Sequence, residues 1–382
     1  MNRTAIAAFL FGHRPAGRRP RRRLFLATVV VGAATSVLSV PAAAAPAATP
    51  PPVFAYYYIW FDPSSWNRAK TDYPTLGRYS SDERLVMRRH IQWAKAAGIE
   101  GFIVSWKSTP TLDERLRELA EVARAERFEL LVIYQGLDFE RQPLPSARVA
   151  RDLELFRARY ARNPAFDKFG RALVVWSGTW RFSTREIADV TGSVGPGILI
   201  LASERNVDGY RRVAPYVNGN AYYWSSVNPQ TFPGYDAKLA QMGRAVHRRK
   251  GIWIAPAAPG FDARLIGGTT VVPRRNGATL RRELDAATAS SPDAVGLISW
   301  NEFSENTHIE PSLRHGERYL EVLGDVRGAT VDIDTDLDSS APGTTGRSYG
   351  PAILAGLLAL VIGALGMAAW RAWSKRRTPS MH

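Results

Sequence analysis

The 382-residue chain has no cysteine. This excludes disulfides, thiolate zinc sites and cysteine nucleophiles, and leaves the compartment open. No HExxH segment and no clustered His/Asp set occurs, so neither a catalytic metal nor a cofactor is expected. Acidic residues are few, 35 against 50 basic ones, for a net charge of +15. A nucleic-acid ligand would be the first reading of such an excess, but its location argues otherwise. Residues 1–23 hold seven arginines and no acid, and Arg371, Lys375, Arg376 and Arg377 close the chain. The remainder carries 39 basic and 35 acidic residues, and the case for nucleic acid loses its main support.

The chain is bracketed by two apolar segments. Arg18, Arg19, Arg21, Arg22 and Arg23 precede an apolar run over 24–40, and residues 41–45 are proline and four alanines. Residues 1–45 therefore read as an export signal. Arg22-Arg23-Leu24-Phe25-Leu26 also fits a twin-arginine pattern, so either the twin-arginine or the general secretory route is open. Residues 46–53 form a Pro/Ala-rich linker. The run 351–370 is uncharged for twenty residues. At about 1.5 Å per residue it is long enough to cross a bilayer core. Residues 350–370 are thus expected to be a transmembrane helix and 371–382 a cytoplasmic basic tail, with everything earlier outside the cell membrane. No LPxTG-like motif precedes the run. Residues 329–349, with Asp332, Asp334, Asp336 and Asp338, read as a solvated stalk. They lack the glycine and terminal glutamate of an EF-hand loop.

Between these segments eight β-rich runs recur, at 54–61, 99–106, 129–135, 172–177, 197–203, 219–225, 251–256 and 294–300. Several are almost continuously apolar, as in parallel strands buried on both faces. Helical patterns alternate with them, at 146–162, 183–191, 207–217, 235–249, 279–290 and 313–323. Two earlier helices are announced by capping boxes at Ser80–Glu83 and Thr111–Glu114. The spacing predicts a single (β/α)8 TIM barrel over 54–328. An open doubly wound sheet is the alternative, and no GxGxxG or P-loop supports it.

A barrel of this kind forms its site at the C-terminal ends of the strands. Aromatic residues crowd those positions: Tyr58 and Trp60, Trp106, Tyr134, Trp176, Tyr223 and Trp224, and Trp300. Aromatic planes pack on the C–H faces of sugar rings, while hydroxyls need amide and carboxylate partners such as Gln135 and Asn301. Tyr58, Trp60, Trp106, Gln135, Tyr223, Trp224 and Asn301 are accordingly candidate substrate-binding residues, and the expected partner is an oligo- or polysaccharide met by a monomer. Each aromatic taken alone is as well explained by core packing.

Glu302 and Glu305 follow the last strand, three residues apart. If the chain turns helical there they share a face. Two carboxyls in one desolvated pocket repel, so one stays protonated near neutral pH while the other is charged, as glycosidic cleavage requires. Surface acids on a solvent-facing loop would show the same spacing. Glu310 reads as a structural loop acid, His308 as a hydrogen-bonded loop residue and His90 as a helical histidine with no paired ligand nearby.

The stretch Trp300-Asn301-Glu302 through Glu310-Pro311 resembles the strand-eight motif of glycoside hydrolase family 99, the endo-α-mannosidases, and of relatives such as the family 71-like α-glucanases. Tyr56-Tyr57-Tyr58-Ile59-Trp60, Gly77-Arg78-Tyr79-Ser80-Ser81-Asp82 with His90, Gly101-Phe102-Ile103-Val104-Ser105-Trp106, and Ala258-Pro259-Gly260-Phe261-Asp262 with Pro273-Arg274 are similar to further stretches of that family. The resemblance spans most of 54–324. It implies a retaining, endo-acting enzyme in which Glu302 deprotonates a sugar 2-hydroxyl and Glu305 serves as general acid, then general base. The chain departs from the family pattern at Gln135, Phe303, Ser304, Asn306 and His308. A non-catalytic glycan-binding protein and a polysaccharide-assembly protein are the alternatives.

Overall fold

The structure, a computed structural model, describes residues 50–333. The expected export signal, most of the stalk, the transmembrane segment and the basic tail lie outside the described residues. Among the described residues no helix is long and apolar enough to cross a membrane.

Period-two alternation organises the molecule. In the first strand, β1 (Val53–Tyr58), Phe54 and Tyr56 point to the barrel axis while Ala55 and Tyr57 face the helices. The same parity holds in β2 (Gly101–Trp106), β3 (Glu129–Gln135), β4 (Leu173–Ser177) and β5 (Leu199–Ala202). It continues through β6 (Gly219–Ala221), β7 (Ile252–Ala257) and β10 (Ala294–Leu297). These eight parallel strands close in the order β1-β10-β7-β6-β5-β4-β3-β2, as the alternation of runs predicts. Two short strands absent from the sequence reading, β8 (Phe261–Asp262) and β9 (Val271–Val272), form an antiparallel hairpin after β7.

Two cores result. Ile103, Leu131, Ile133, Val175, Leu201 and Ile254 fill the barrel interior. A larger core lies between the strands and the helices. There Phe102 stacks on Tyr57 at 4.4 Å and meets Trp300 at 5.3 Å.

Among the described residues eight α-helices wrap the sheet: α1 (Arg84–Ala96), α2 (Pro110–Glu126), α3 (Ser146–Tyr160), α4 (Thr184–Val194), α5 (Val207–Val213), α6 (Tyr235–His247), α7 (Ala278–Ala289) and α8 (Arg318–Arg327). Their starts correct two expectations. Glu83 accepts the N–H of Ser80 at 2.6 Å, but α1 begins at Arg84 and Glu83 is its N-cap, so that half-box closes the turn ahead of the helix. The cap of α2 is Thr109 rather than Thr111, because Pro110 fits the first helical position with its φ already set. A reciprocal box does form at α4, between Ser183 and Glu186. The last helix starts at Arg318, five residues later than the pattern suggests.

The β5–β6 seam is thin, with one registered pair, Ala202 and Asn220. Side-chain amides supply the missing ladder. Asn218 Oδ1 accepts the N–H of Ile200 at 2.9 Å, and Asn220 Oδ1 accepts that of Glu204 at 2.8 Å. Gly219 sits at φ 153°, where a Cβ would fall 2.0 Å from the Ile252 carbonyl oxygen, so only glycine lets β6 approach β7 here.

The Phe102 side chain ties the β1–β2 face to Trp300 and hence to the end of β10. Phe102→Ala is expected to lower unfolding free energy by about 3–5 kcal/mol, measured by urea denaturation. A loss under about 1 kcal/mol would show that the outer core does not depend on this ring.

Candidate active site

Past the last residue of β10 the chain makes a tight turn, not the helix that would put residues three apart on one face, and Glu302 and Glu305 stand on it. Many bonds fix that turn. Ser299 Oγ accepts the N–H of Glu302 at 2.9 Å, and the Glu302 carbonyl accepts the N–H of Thr307 at 3.2 Å. The Glu305 carbonyl accepts the N–H of Asp262, the end of β8, at 2.8 Å. Arg274 Nη2 donates to the carbonyls of Asn306 at 2.9 Å and His308 at 2.7 Å. The hairpin after β7 therefore clamps the glutamate turn from one side, a function no local sequence pattern announces.

Asn301 clamps it from the other. Its Oδ1 accepts the N–H of Tyr58 at 2.8 Å and its Nδ2 donates to the Tyr58 carbonyl at 3.0 Å. The amide thus extends the β1 ladder by one rung. Behind it runs a buried chain: Asn301 Nδ2 to Tyr79 Oη at 3.3 Å, Tyr79 Oη to Glu310 at 2.8 Å, Glu310 to His90 Nε2 at 3.0 Å, and His90 Nδ1 to Tyr57 Oη at 3.0 Å. His90, read from sequence as having no ligand nearby, is paired with a residue 220 positions away.

The two glutamates differ in surroundings. Glu302 is buried, and burial raises its pKa. The N–H of Ser304, donating to Oε1 at 3.0 Å, and the charge of Lys70 work against that rise. Glu305 has no such donor. Burial and then the charge of Glu302 push it up to about 8, with only Arg141 opposing. The pair titrates in coupled steps, Glu302 first. Glu305 therefore keeps its proton to higher pH than Glu302 does.

Tyr58 and Tyr223 face these glutamates with their hydroxyls hydrogen-bonded to each other. Burial and the charges of Glu305 and Glu302 hold both phenols well above their ordinary pKa, so both stay protonated. Trp60 lies 4.3 Å from Tyr58, ring to ring, and is 37 % exposed, an open apolar surface at the rim. Gln135 points to the axis from the end of β3 and donates to Ser105 Oγ at 3.1 Å.

Two expected cleft residues stand elsewhere. Trp106 is fully buried and packs on Tyr134 and Phe156 beneath α3. Trp224 stacks on Tyr235 of α6 at 5.1 Å with an interplanar angle of 2°. Both fall on the outward parity of their strands, whereas Tyr58 and Tyr223 fall on the inward one. Counting by twos from the core residues of each strand separates them. The sequence reading also passed over Lys70 and Arg141, the cations nearest in effect to Glu302 and Glu305; both lie on strand-to-helix loops of the same face.

Asp72, His308 and His315 bring ligand-type atoms within 4.8 Å of one another. Burial would raise the Asp72 pKa, but His308, Ser312 and the N–H of Arg314 hold it below the usual carboxylate range. Burial and the Arg274 charge push His308 down to about 3 and His315 to about 4, so both rings are neutral. Arg274 stands 3.3 Å from His308 Nδ1. A metal-bound histidine needs an acceptor there, not a cation. The cluster fits a hydrogen-bonded support for the glutamate turn, with Phe303 stacked on His308 at 4.0 Å.

Two solved structures of the GH99 endo-α-mannosidase from Bacteroides thetaiotaomicron superpose on this chain with a TM-score of 0.60, at 20 % and 18 % identity, covering 68 % of this chain and 87 % and 88 % of theirs. A glycoside hydrolase-like protein superposes with a TM-score of 0.57 at 15 % identity, over 72 % of this chain and 93 % of its own. The likeness is one of fold. The closed eight-stranded parallel barrel is what this chain shares with those structures. No protein-family model matches the sequence, and no curated protein matches it.

The raised Glu305 pKa has a consequence for stability. Its folded value lies above the unfolded one, so the folded state binds the proton more tightly. The stabilisation is full below about pH 4.5 and is lost as pH rises through about 8. Glu305→Gln removes this loss. Its melting temperature should exceed that of the parent by a margin that widens from pH 5 to pH 8 and then levels. A margin independent of pH would mean that Glu305 titrates as an exposed acid.

Proposed function

We propose that this chain is an endo-acting, retaining glycoside hydrolase that cleaves an α-linked glycan, mannan-like in its sugars. We further propose that it works outside the cell membrane, tethered through residues 350–370. The observation that carries the reading is the unequal pair on one rigid turn: Glu302 supplied with an N–H and a lysine charge, Glu305 left to hold its proton.

In α-mannosides the 2-hydroxyl and the leaving group are trans. Glu302, the carboxylate, takes the proton of that hydroxyl. The freed oxygen attacks the anomeric carbon as the glycosidic bond breaks, and Glu305 gives its proton to the departing oxygen. Water then opens the resulting 1,2-anhydro sugar, losing its proton to Glu305, while Glu302 returns the first proton to the 2-oxygen. Configuration is retained overall, and the route does not need the roughly 5 Å nucleophile–acid spacing of ordinary retaining enzymes. The acid group is set by position and by proton affinity together.

Tyr58 and Tyr223 supply hydroxyls beside the reacting centre, Trp60 an apolar platform, and Asn301 the rigid link from β1 to the glutamate turn. Trp106 and Trp224 have no part in this reading; their rings serve packing. The fold shared with endo-α-mannosidases and the retention of both glutamates support hydrolysis over simple glycan binding, since a binding cleft gains nothing from two mutually repelling acids.

Incubation with α-mannans and α-glucans should release new reducing ends from an α-mannan. Glu302→Gln and Glu305→Gln should each lower turnover by roughly 10²-fold or more while retaining glycan binding. The basic limb of the rate–pH profile should fall near pH 8, where Glu305 loses its proton. Full turnover in either variant would remove that residue from the mechanism. Cleavage of α-glucans alone would move the substrate to glucose polymers.

A further inference from the structure

The end of the barrel opposite the glutamates carries features that the proposed reaction does not use. In a parallel barrel the helix-to-strand turns gather at the N-terminal ends of the strands. The described chain both begins and ends on that face. Arg327, the last residue of α8, donates from Nη1 to the carbonyl of Pro51 at 2.9 Å, and Val331 and Ile333 pack back against the outer core.

On the same face the α6–β7 turn is Arg248-Arg249-Lys250, all three exposed. None of them forms an ion pair among the described residues. The last turn of α6 already holds Arg244 and His247 against the negative end of the helix, so the run beyond it is not needed for capping. Two acids of this face are engaged elsewhere: Asp293 with His247 at 2.9 Å, and Glu100 with Lys168 and Arg327. In the neighbouring α5–β6 turn Tyr216 is 41 % exposed. An open tyrosine beside unpaired cations matches a lipid interface, where the ring sits at headgroup depth and the cations meet anionic lipid.

The chain beyond the barrel points to the same occupant. Residues 334–350 separate Ile333 from the uncharged run 351–370, and Arg371 follows that run. Fully extended, a chain of that length reaches at most roughly 60 Å. A bilayer holding the run would therefore lie within reach of the face from which the chain leaves.

We infer that the N-terminal end of the barrel docks on anionic phospholipid headgroups through Arg248, Arg249, Lys250 and Tyr216. Docking turns the glutamate cleft away from the bilayer, toward glycans outside. This inference rests on the membrane tethering proposed above. The attraction fades within about 8 Å at physiological salt, so docking is salt-sensitive.

The absence of cysteine permits labelling at one chosen site. The full chain, carrying a fluorophore at Ser291→Cys on the docking face or at Thr231→Cys on the opposite face, is inserted into vesicles with a quencher on the lipid headgroups. With phosphatidylglycerol present, quenching should be about threefold stronger or more at position 291 than at 231. The difference should collapse in pure phosphatidylcholine, in high salt, and in the variant Arg248→Gln, Arg249→Gln, Lys250→Gln. Equal quenching at the two sites, or a difference that survives the triple substitution, would overturn the docking surface while leaving the tether intact. Failure of the chain to insert into either vesicle would overturn the tether and the docking surface together.

Discussion

Two carboxyl groups on one buried turn resist carrying charge together, and the structure around Glu302 and Glu305 is organised by that constraint. Repulsion between them is strong because little water screens it. The turn relieves it unevenly, by directing the Ser304 N–H and the Lys70 charge at Glu302 while leaving Glu305 to burial. Such a division lasts only if the turn cannot relax. The Asp262 N–H, the Arg274 guanidinium, the Ser299 hydroxyl and the Asn301 amide hold it from four directions.

Those supports come from widely separated parts of the chain, and this explains their cost and their reach. Arg274 is buried with Tyr319 beneath its plane at 4.4 Å, and its charge adds to burial in keeping His308 and His315 neutral. Neutral His308 can stack on Phe303 and bond Asp72 without adding a cation behind the glutamates. The buried link from Asn301 through Tyr79, Glu310 and His90 to Tyr57 joins the glutamate turn to α1 and β1 in the same way. The barrel supplies the rigidity, and polar clusters at its mouth transmit it to the turn.

The barrel itself was legible in the sequence, because eight apolar runs at helical intervals leave few other topologies. So was the location of Glu302 and Glu305, since residues after the last strand must open at the mouth. The conformation there was not legible: the three-residue spacing suits a helix, but bonds from Asp262 and Arg274, far away in sequence, hold a turn. The aromatic residues misled where composition was read without parity. Trp106 and Trp224 are as aromatic as Tyr58 and Tyr223 yet face the opposite side of the sheet. Glu310 and His90 could not be paired by inspection, because nothing local marks a contact spanning 220 residues.

The two glutamates differ in proton affinity, and carboxyl carbon-13 NMR reads that difference directly. Selectively labelled glutamate side chains, assigned through the two single Gln variants, would be followed from pH 3 to pH 10. The Glu305 signal should have its midpoint near 8 and the Glu302 signal should move first, with a small echo in each curve at the other's transition. Two independent curves, both centred in the ordinary glutamate range around 4.5, would contradict an unequal pair.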